Sequence, residues 1–229
     1  MAGRPYTRSL DPGDYQYLSH AHFLRLFVAE MTRTGVPHRE WHEHRLWEYA
    51  SIMQQLEDLK VPEDAEIVDV GAGASFFDPY CARQYPNLLC VDNMLYGDIT
   101  LMVDAQRKAY GVALPLHDGT ATLASEHFDV TLCISTIEHA EDHDAAFDEL
   151  VRITKPGGLI MLTSDYFRDL TQWQNSPSRH LQATPYTQKF VESLPGCWPV
   201  SFVGETDLEY RGDFVHNYSF CNVCLRKSC

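Results

Sequence analysis

"EIVDVGAGASFF", residues 66–77, is the stretch on which the fold turns. An apolar run carries an acid at Asp69, glycines follow at Gly71 and Gly73, and an amphipathic stretch begins after them. That order predicts a buried strand turning sharply into a helix. Glycine lets a backbone approach a ligand closely, and the first turn of a helix has N–H groups without internal partners. The stretch therefore predicts a small-molecule site, and the question is which ligand suits an acid just before the glycines.

Downstream, short apolar strands alternate with helical patterns. "NLLCVD" is the second strand, "VALPL" a short third, "FDVTLCIS" a fourth and "GGLIMLTS" a fifth. Helices are expected over about 75–85, 99–110 and "DHDAAFDELVRIT", where Ala146, Phe147, Leu150, Val151 and Ile153 form the apolar stripe. Such alternation predicts a mostly parallel sheet with helices on both faces. After a loop-rich stretch (166–185) and a helix near 186–194, strands at 199–209 and 214–226 flank "YRGD", a hairpin signal, so the sheet should end in an antiparallel pair.

Upstream, residues 15–33 and 38–60 carry helical periodicity, the second with Leu46, Tyr49, Ala50, Met53 and Leu56 on one face. These helices have no place in the sheet. Residues 1–60 are expected to form a cap or lid, and residues 61–229 the ligand-binding domain. In "HREWHEHRLWEY", His38, His42, Arg45 and Tyr49 share one stripe, either a solvated polar face or, in a lid, a set of acceptor contacts with Arg45 as a carboxylate partner.

Charge narrows the ligand. The formal net charge is −14; residues 1–60 hold 7 Lys/Arg against 8 Asp/Glu, and the remainder 11 against 24. A surface that acidic repels phosphate backbones, which argues against nucleic acid as substrate and for a small molecule. The apolar runs are too short to span a bilayer, the N-terminal residues do not form a signal peptide, and seven cysteines fit a reducing compartment, so a cytoplasmic location is expected. Cys221, Cys224 and Cys229 lack a second pair at zinc-ligand spacing, so no metal is expected.

Ligands of open parallel sheets bind beyond the carboxyl ends of the strands. Those ends are Asp69–Gly73, Asp92–Asn93, Asp118–Gly119, Ser135–His139 and Ser164–Tyr166, and all five contain an acid. Asp92 stands 21 residues after Gly71, where a carboxylate reaches a ribose diol; alone it could equally be a turn or helix cap. The dinucleotide fingerprint needs a third glycine at position 76, which is Phe76.

Together "VDVGAGAS", "CVDN" and "LHDGTATLASEHFDVTLCISTIEHAEDHDAAFDELVRITKPGGLIMLTSD" resemble the Rossmann-like (class I) S-adenosylmethionine-dependent methyltransferases, with a weaker likeness in "FVHNYSFCNVCLRK". The resemblance implies a three-layer α/β sandwich with a mostly parallel seven-stranded sheet, an antiparallel C-terminal hairpin and, here, the N-terminal helical cap. It implies that Gly71 and Gly73 pass beneath the methionine moiety of S-adenosylmethionine. Asp69 would hold the amino group directly or through water, and Asp92 the ribose hydroxyls. Asn93 would lie beside the adenine, Asp118 and Gly119 at its amino group, and Ser135 near the sulfonium. The family's third glycine is Ser75 here, which could cap the helix or donate to the cofactor carboxylate. Acids suit this ligand because its ammonium, diol and adenine amine all donate hydrogen bonds, whereas a pyrophosphate needs donors or cations.

The expected reaction moves a methyl group to an oxygen or nitrogen of a small molecule, a sugar or specialised metabolite among the candidates, leaving S-adenosylhomocysteine. Alternatives are a non-methylating enzyme that retains the cofactor, and a cofactor-binding regulatory protein; monomer and homodimer are both open. A base is required only for acceptors that must lose a proton, and the candidates are His139, Asp165 and His180, with Tyr166 as an acceptor contact. Ser135 and Glu138 could instead form a simple capping box.

Overall fold

The computed structural model describes residues 5–11, 13–14, 25–26, 29, 45–73, 75, 77–92, 111, 116–213 and 218–229, with only the backbone at 116–118. They fall into two compact units, residues 13–122 and residues 1–12 with 123–229. The expected helix at 99–110 and all but Arg25, Leu26 and Ala29 of the first N-terminal helix lie outside the described residues, as do His38, His42 and Asn93.

In the unit of residues 13–122, strands β2 (Ile67–Val70), β3 (Leu88–Asp92) and β4 (Leu116–Asp118) pair in parallel, β3 between the other two. The predicted helix after the glycines is short, Phe77–Cys81. The described part of the second N-terminal helix, Leu46–Asp58, buries the expected Leu46, Tyr49, Ala50, Met53 and Leu56. It also buries Trp47, Glu48, Ser51, Ile52 and Gln55, so apolar contact extends well beyond one stripe. Trp47 donates its indole N–H to Asp14 Oδ2 at 2.8 Å, which satisfies the polar end of a fully buried ring. Tyr49 stacks on Phe77 with centroids 5.2 Å apart, packing this helix on the one after the glycines.

The other unit is built on β5 (Phe128–Ile134), β6 (Thr154–Tyr166) and β9 (Ser219–Lys227). β5 and β6 are parallel, β6 and β9 antiparallel. The expected C-terminal antiparallel pair is present as β7 (Val200–Phe202) against β9. The run read as one strand over 199–209 is two, because Gly204 at φ 73° turns the chain before β8 (Thr206–Asp207). A strand the sequence reading did not contain, β1 (Thr7–Ser9), pairs antiparallel with β9 and parallel with β8. Three polar residues gave it no period-2 apolar signal, and they are buried because the strand is enclosed by its neighbours.

β6 starts earlier than expected. Its register against β5 shifts between Phe128 and Val130, and the loosened stretch is "KPGG". A Cβ at Gly158 would lie 2.8 Å from Thr154 Cγ2 and 2.9 Å from the Lys155 carbonyl, so only glycine fits there. Helix His143–Ile153 is capped by Asp142, whose Oδ1 accepts from Ala145 N, and buries Phe147, Leu150, Val151 and Ile153. Helix Gln188–Cys197 is capped by Thr187. No helix among the described residues is long and apolar enough to cross a membrane.

Candidate active site

The turn after β2 is held by backbone. The N–H groups of Gly71 and Ala72 both donate to Val91 O, at 2.7 and 3.1 Å. Gly71 has φ 80° and Gly73 φ 59°, in the left-handed region where a side chain is strained, and this explains both glycines. The Gly73 N–H donates to Asp92 Oδ2 at 2.9 Å. Asp92 pairs in register with Asp118, and the Gly119 N–H donates to Asp92 O at 3.3 Å. Gly71, Gly73, Asp92, Asp118 and Gly119, chosen from strand ends alone, thus form one rim.

Asp69 lies beneath this rim, 2% exposed, with Oδ1 lacking any hydrogen-bond partner. Burial pushes its carboxyl well above the ordinary range, and the neighbouring Asp78 pushes it further. Asp78 is equally buried and is raised to about 6, burial outweighing its hydrogen bonds with Asp69, Ser75 and Cys90. Two buried carboxyls in hydrogen-bond contact share a proton, because both cannot be ionised cheaply. Ser75 donates its hydroxyl to Asp78 Oδ2 at 3.0 Å. Asp78 was absent from the sequence reading; the Ser-x-x-Asp spacing from Ser75, a capping-box signature, was the signal for it.

The remaining candidates belong to the other unit. Ser135 directly follows β5 at φ 45°, an unusual angle for serine, and its N–H donates to the carbonyl and hydroxyl oxygens of Thr163 at 3.0 and 3.1 Å. The alternative of a capping box with Glu138 is not what forms. Glu138 is fully buried, and its Oε1 accepts from Asp165 N at 3.2 Å.

Three base candidates converge on one short segment. His139 is exposed, and its Nδ1 bonds Leu181 O. A carbonyl only accepts, so Nδ1 carries the proton and Nε2 of the neutral ring is left as a base. His180, exposed on the turn Arg179–Leu181, is the residue before that carbonyl. Asp165 is 5% exposed and accepts from Gln182 Nε2 at Oδ2. Ala183 and Thr184 donate their N–H groups to Glu138 O at 2.8 and 3.1 Å, which pins the segment down. Sequence reasoning missed Gln182 and Glu138, because their roles depend on contacts with residues 17 and 27 positions away.

Two expected acceptor contacts have other partners. Tyr166 is fully buried, donates its hydroxyl to Leu208 O at 2.5 Å, and burial raises its pKa; this geometry makes it a packing residue. Arg45 forms an ion pair with Glu48 at 3.4 Å, one turn along its own helix. Among the described residues no group of three His, Cys, Asp or Glu is arranged to hold a metal.

The donor set fits S-adenosylmethionine. An orphaned carboxyl oxygen on Asp69, the Asp92 carboxylate at the glycine turn and open space beside the Gly119 Cα face suit a ligand rich in hydrogen-bond donors.

Comparison with known proteins agrees. Residues 68–162 match the methyltransferase domain family. The chain is 26% identical over 137 residues to the ubiquinone biosynthesis O-methyltransferase of Pseudomonas aeruginosa, covering 53% of this chain and 58% of that one. It is 23% identical over 178 residues to the norajmaline N-methyltransferase of Rauvolfia serpentina, covering 72% and 58%. The chain spans 39 to 58% of the length of these and a further curated relative. In fold it is similar to phosphoethanolamine N-methyltransferase 2 of Haemonchus contortus, solved with S-adenosylmethionine. There the TM-score is 0.55 at 15% identity, covering 77% of this chain and 53% of that one. Through residues 68–162 the chain is similar to the methyltransferase domain family, and its fold is the Rossmann-like fold of the class I S-adenosylmethionine-dependent methyltransferases.

Proposed function

We propose that the protein transfers the methyl group of S-adenosylmethionine to an oxygen or nitrogen of a small-molecule acceptor in the cytoplasm. The observation that carries this reading is the bond from Gly73 N–H to Asp92, which holds a carboxylate at the rim of the glycine turn. A pyrophosphate would be repelled there, and a ribose diol would be welcomed.

In this proposal Asp92 accepts from the ribose hydroxyls through the lone pairs that Gly73 leaves open. Gly71 and Gly73 allow the methionine portion to lie close to the backbone, while Asn93, Asp118 and Gly119 serve the adenine. Asp69 is buried, so it acts on the ligand ammonium through water, and that positive charge would favour its ionised form. When bound, the cofactor supplies a methyl group on a sulfonium leaving group. The protein's task is then alignment, exclusion of water and, for a hydroxyl acceptor, removal of a proton. His139 Nε2 is assigned that last role, with Asp165 and His180 as the alternatives on the same segment, and Ser135 is placed beside the reacting centre. Helix Leu46–Asp58 is too buried to be a lid, so acceptor contacts from the N-terminal region are assigned to residues before Arg45, His42 among them.

The test is incubation with methyl-labelled cofactor and a panel of hydroxyl and amine acceptors, scoring labelled product and S-adenosylhomocysteine together. His139→Ala should then slow turnover by about a hundredfold while S-adenosylhomocysteine binds as before. Binding of the cofactor without label transfer to any acceptor would favour a regulatory or non-methylating role.

A further inference from the structure

The unit of residues 1–12 and 123–229 contains a row of polar side chains in a part of the sheet that packing alone would make apolar. Thr163 on β6, Asn222 on β9 and Arg8 on β1 are directly opposite one another in register. Directly opposed residues of antiparallel strands project from the same face, so the three form one line across the sheet. They are 0, 1 and 5% exposed. Two positions along β6 on that face stands Asp165, joined to Gln182, which is 4% exposed.

Asn222 is the anomaly. Neither its Nδ2 nor its Oδ1 has a hydrogen-bond partner, and Gln182 Oε1 lacks one too. A buried amide with both ends unpaired forfeits its hydration and regains nothing, and leucine in its place would remove that cost. Unpaired buried groups of this kind are expected where a bound molecule completes them.

We propose that Asn222, with Gln182, is the acceptor-recognition element of this enzyme, and that it takes a neutral acceptor bearing adjacent hydroxyls. The inference rests on the methyltransferase reading above. Asn222 Oδ1 and Gln182 Oε1 need donors, and Asn222 Nδ2 needs an acceptor. A hydroxyl is both, so a vicinal diol satisfies all three atoms. Arg8 on one side and Asp165 on the other bring both signs of charge to this face, which favours a neutral polar group over an ion of either sign. Asp165, a base candidate at the end of β6, stands diagonally across from Asn222, two residue pairs along the ladder.

The experiment uses the full chain with S-adenosylhomocysteine bound and its asparagines labelled with nitrogen-15. The probes are trans-1,2-cyclohexanediol and cyclohexanol, which differ by one hydroxyl. The Asn222 side-chain amide signal, assigned through contacts to its own backbone, should shift and saturate with the diol and stay within error with the alcohol. No shift with the diol, or equal shifts with both, overturns the proposal. Asn222→Leu should raise Tm by about 3 °C, because the empty amide costs stability, and should bind S-adenosylhomocysteine within about twofold of the wild type. A lowered Tm in a folded Asn222→Leu protein, or in Asn222→Thr should the first not fold, would make the amide a structural element and refute its role. Loss of S-adenosylhomocysteine binding by the wild type would instead refute the methyltransferase reading, so the two failures are distinct.

Discussion

The glycine turn after β2 and the segment 179–184 are built in opposite ways. At the turn, the chain's own backbone does the positioning: two glycines at positive φ, two N–H groups on one carbonyl, and a third on Asp92. At the segment, two backbone N–H groups anchor the chain to Glu138 O, and the candidate groups are then set by side chains meeting across long stretches of sequence, His139 to Leu181, Asp165 to Gln182 and Asp165 N to Glu138. A site for a common cofactor can rely on backbone, which few substitutions disturb. A site for a particular acceptor must be adjustable, and side chains on a pinned loop can change one at a time.

The largest effect expected from breaking this contrast comes at the backbone. Gly71→Val places a β-branched residue at φ 80° and, in the proposed function, a side chain where the methionine moiety would lie. Calorimetry with S-adenosylhomocysteine should show no binding; ordinary affinity would reduce the turn to a structural feature. Asp92→Ala removes a carboxylate that holds the turn and, in the proposed function, the ligand's ribose. Two lost hydrogen bonds of about 1.5 kcal/mol or more each imply a loss of about a hundredfold in affinity, and a change under threefold would take Asp92 out of the site.

The Asp69–Asp78 pair gives a smaller, pH-dependent effect. Asp78 titrates at about 6 when folded and in the ordinary carboxylate range when unfolded, so the folded state holds more protons between those values. Stability should therefore fall as pH rises through that window. Asp78→Asn, which keeps the shape and removes the charge, should flatten the profile and raise stability near neutral pH by roughly 2 kcal/mol. Urea denaturation at several pH values measures both, and an unchanged slope would show that the pair does not share a proton.

The smallest effect is predicted in the other unit, away from any proposed chemistry. His143 is enclosed by Phe147, Tyr186, Phe190 and Trp198, with Nε2 and the Tyr186 hydroxyl 2.8 Å apart. Burial lowers its pKa, so the folded state resists protonation and loses stability as pH falls below about 6.5. His143→Phe should remove that acid sensitivity, shifting the unfolding midpoint at pH 5 toward the wild-type value at pH 7. An equal acid loss in both proteins would place the sensitivity elsewhere.

Local chemistry made part of this protein legible from residues alone. Alternating strands and helices, the two glycines and the acids at the strand ends each follow from a few neighbouring residues. Strand β1 was illegible because its burial comes from β8 and β9, more than 190 residues away, and Thr-Arg-Ser advertises nothing. The N-terminal helix showed its apolar stripe, yet only packing determined that Glu48 and Gln55 are buried as well. Asp78, Glu138, Gln182 and Asn222 likewise look like ordinary polar residues in the chain. Backbone angles and strand periods are properties of short stretches, so the sequence by itself determined the order of elements and the residues of the glycine-turn rim. Burial and hydrogen-bond pairing are properties of what folds back over a residue, and the tertiary structure alone decided the carboxyl pair, the segment that gathers the base candidates and the polar row across the sheet.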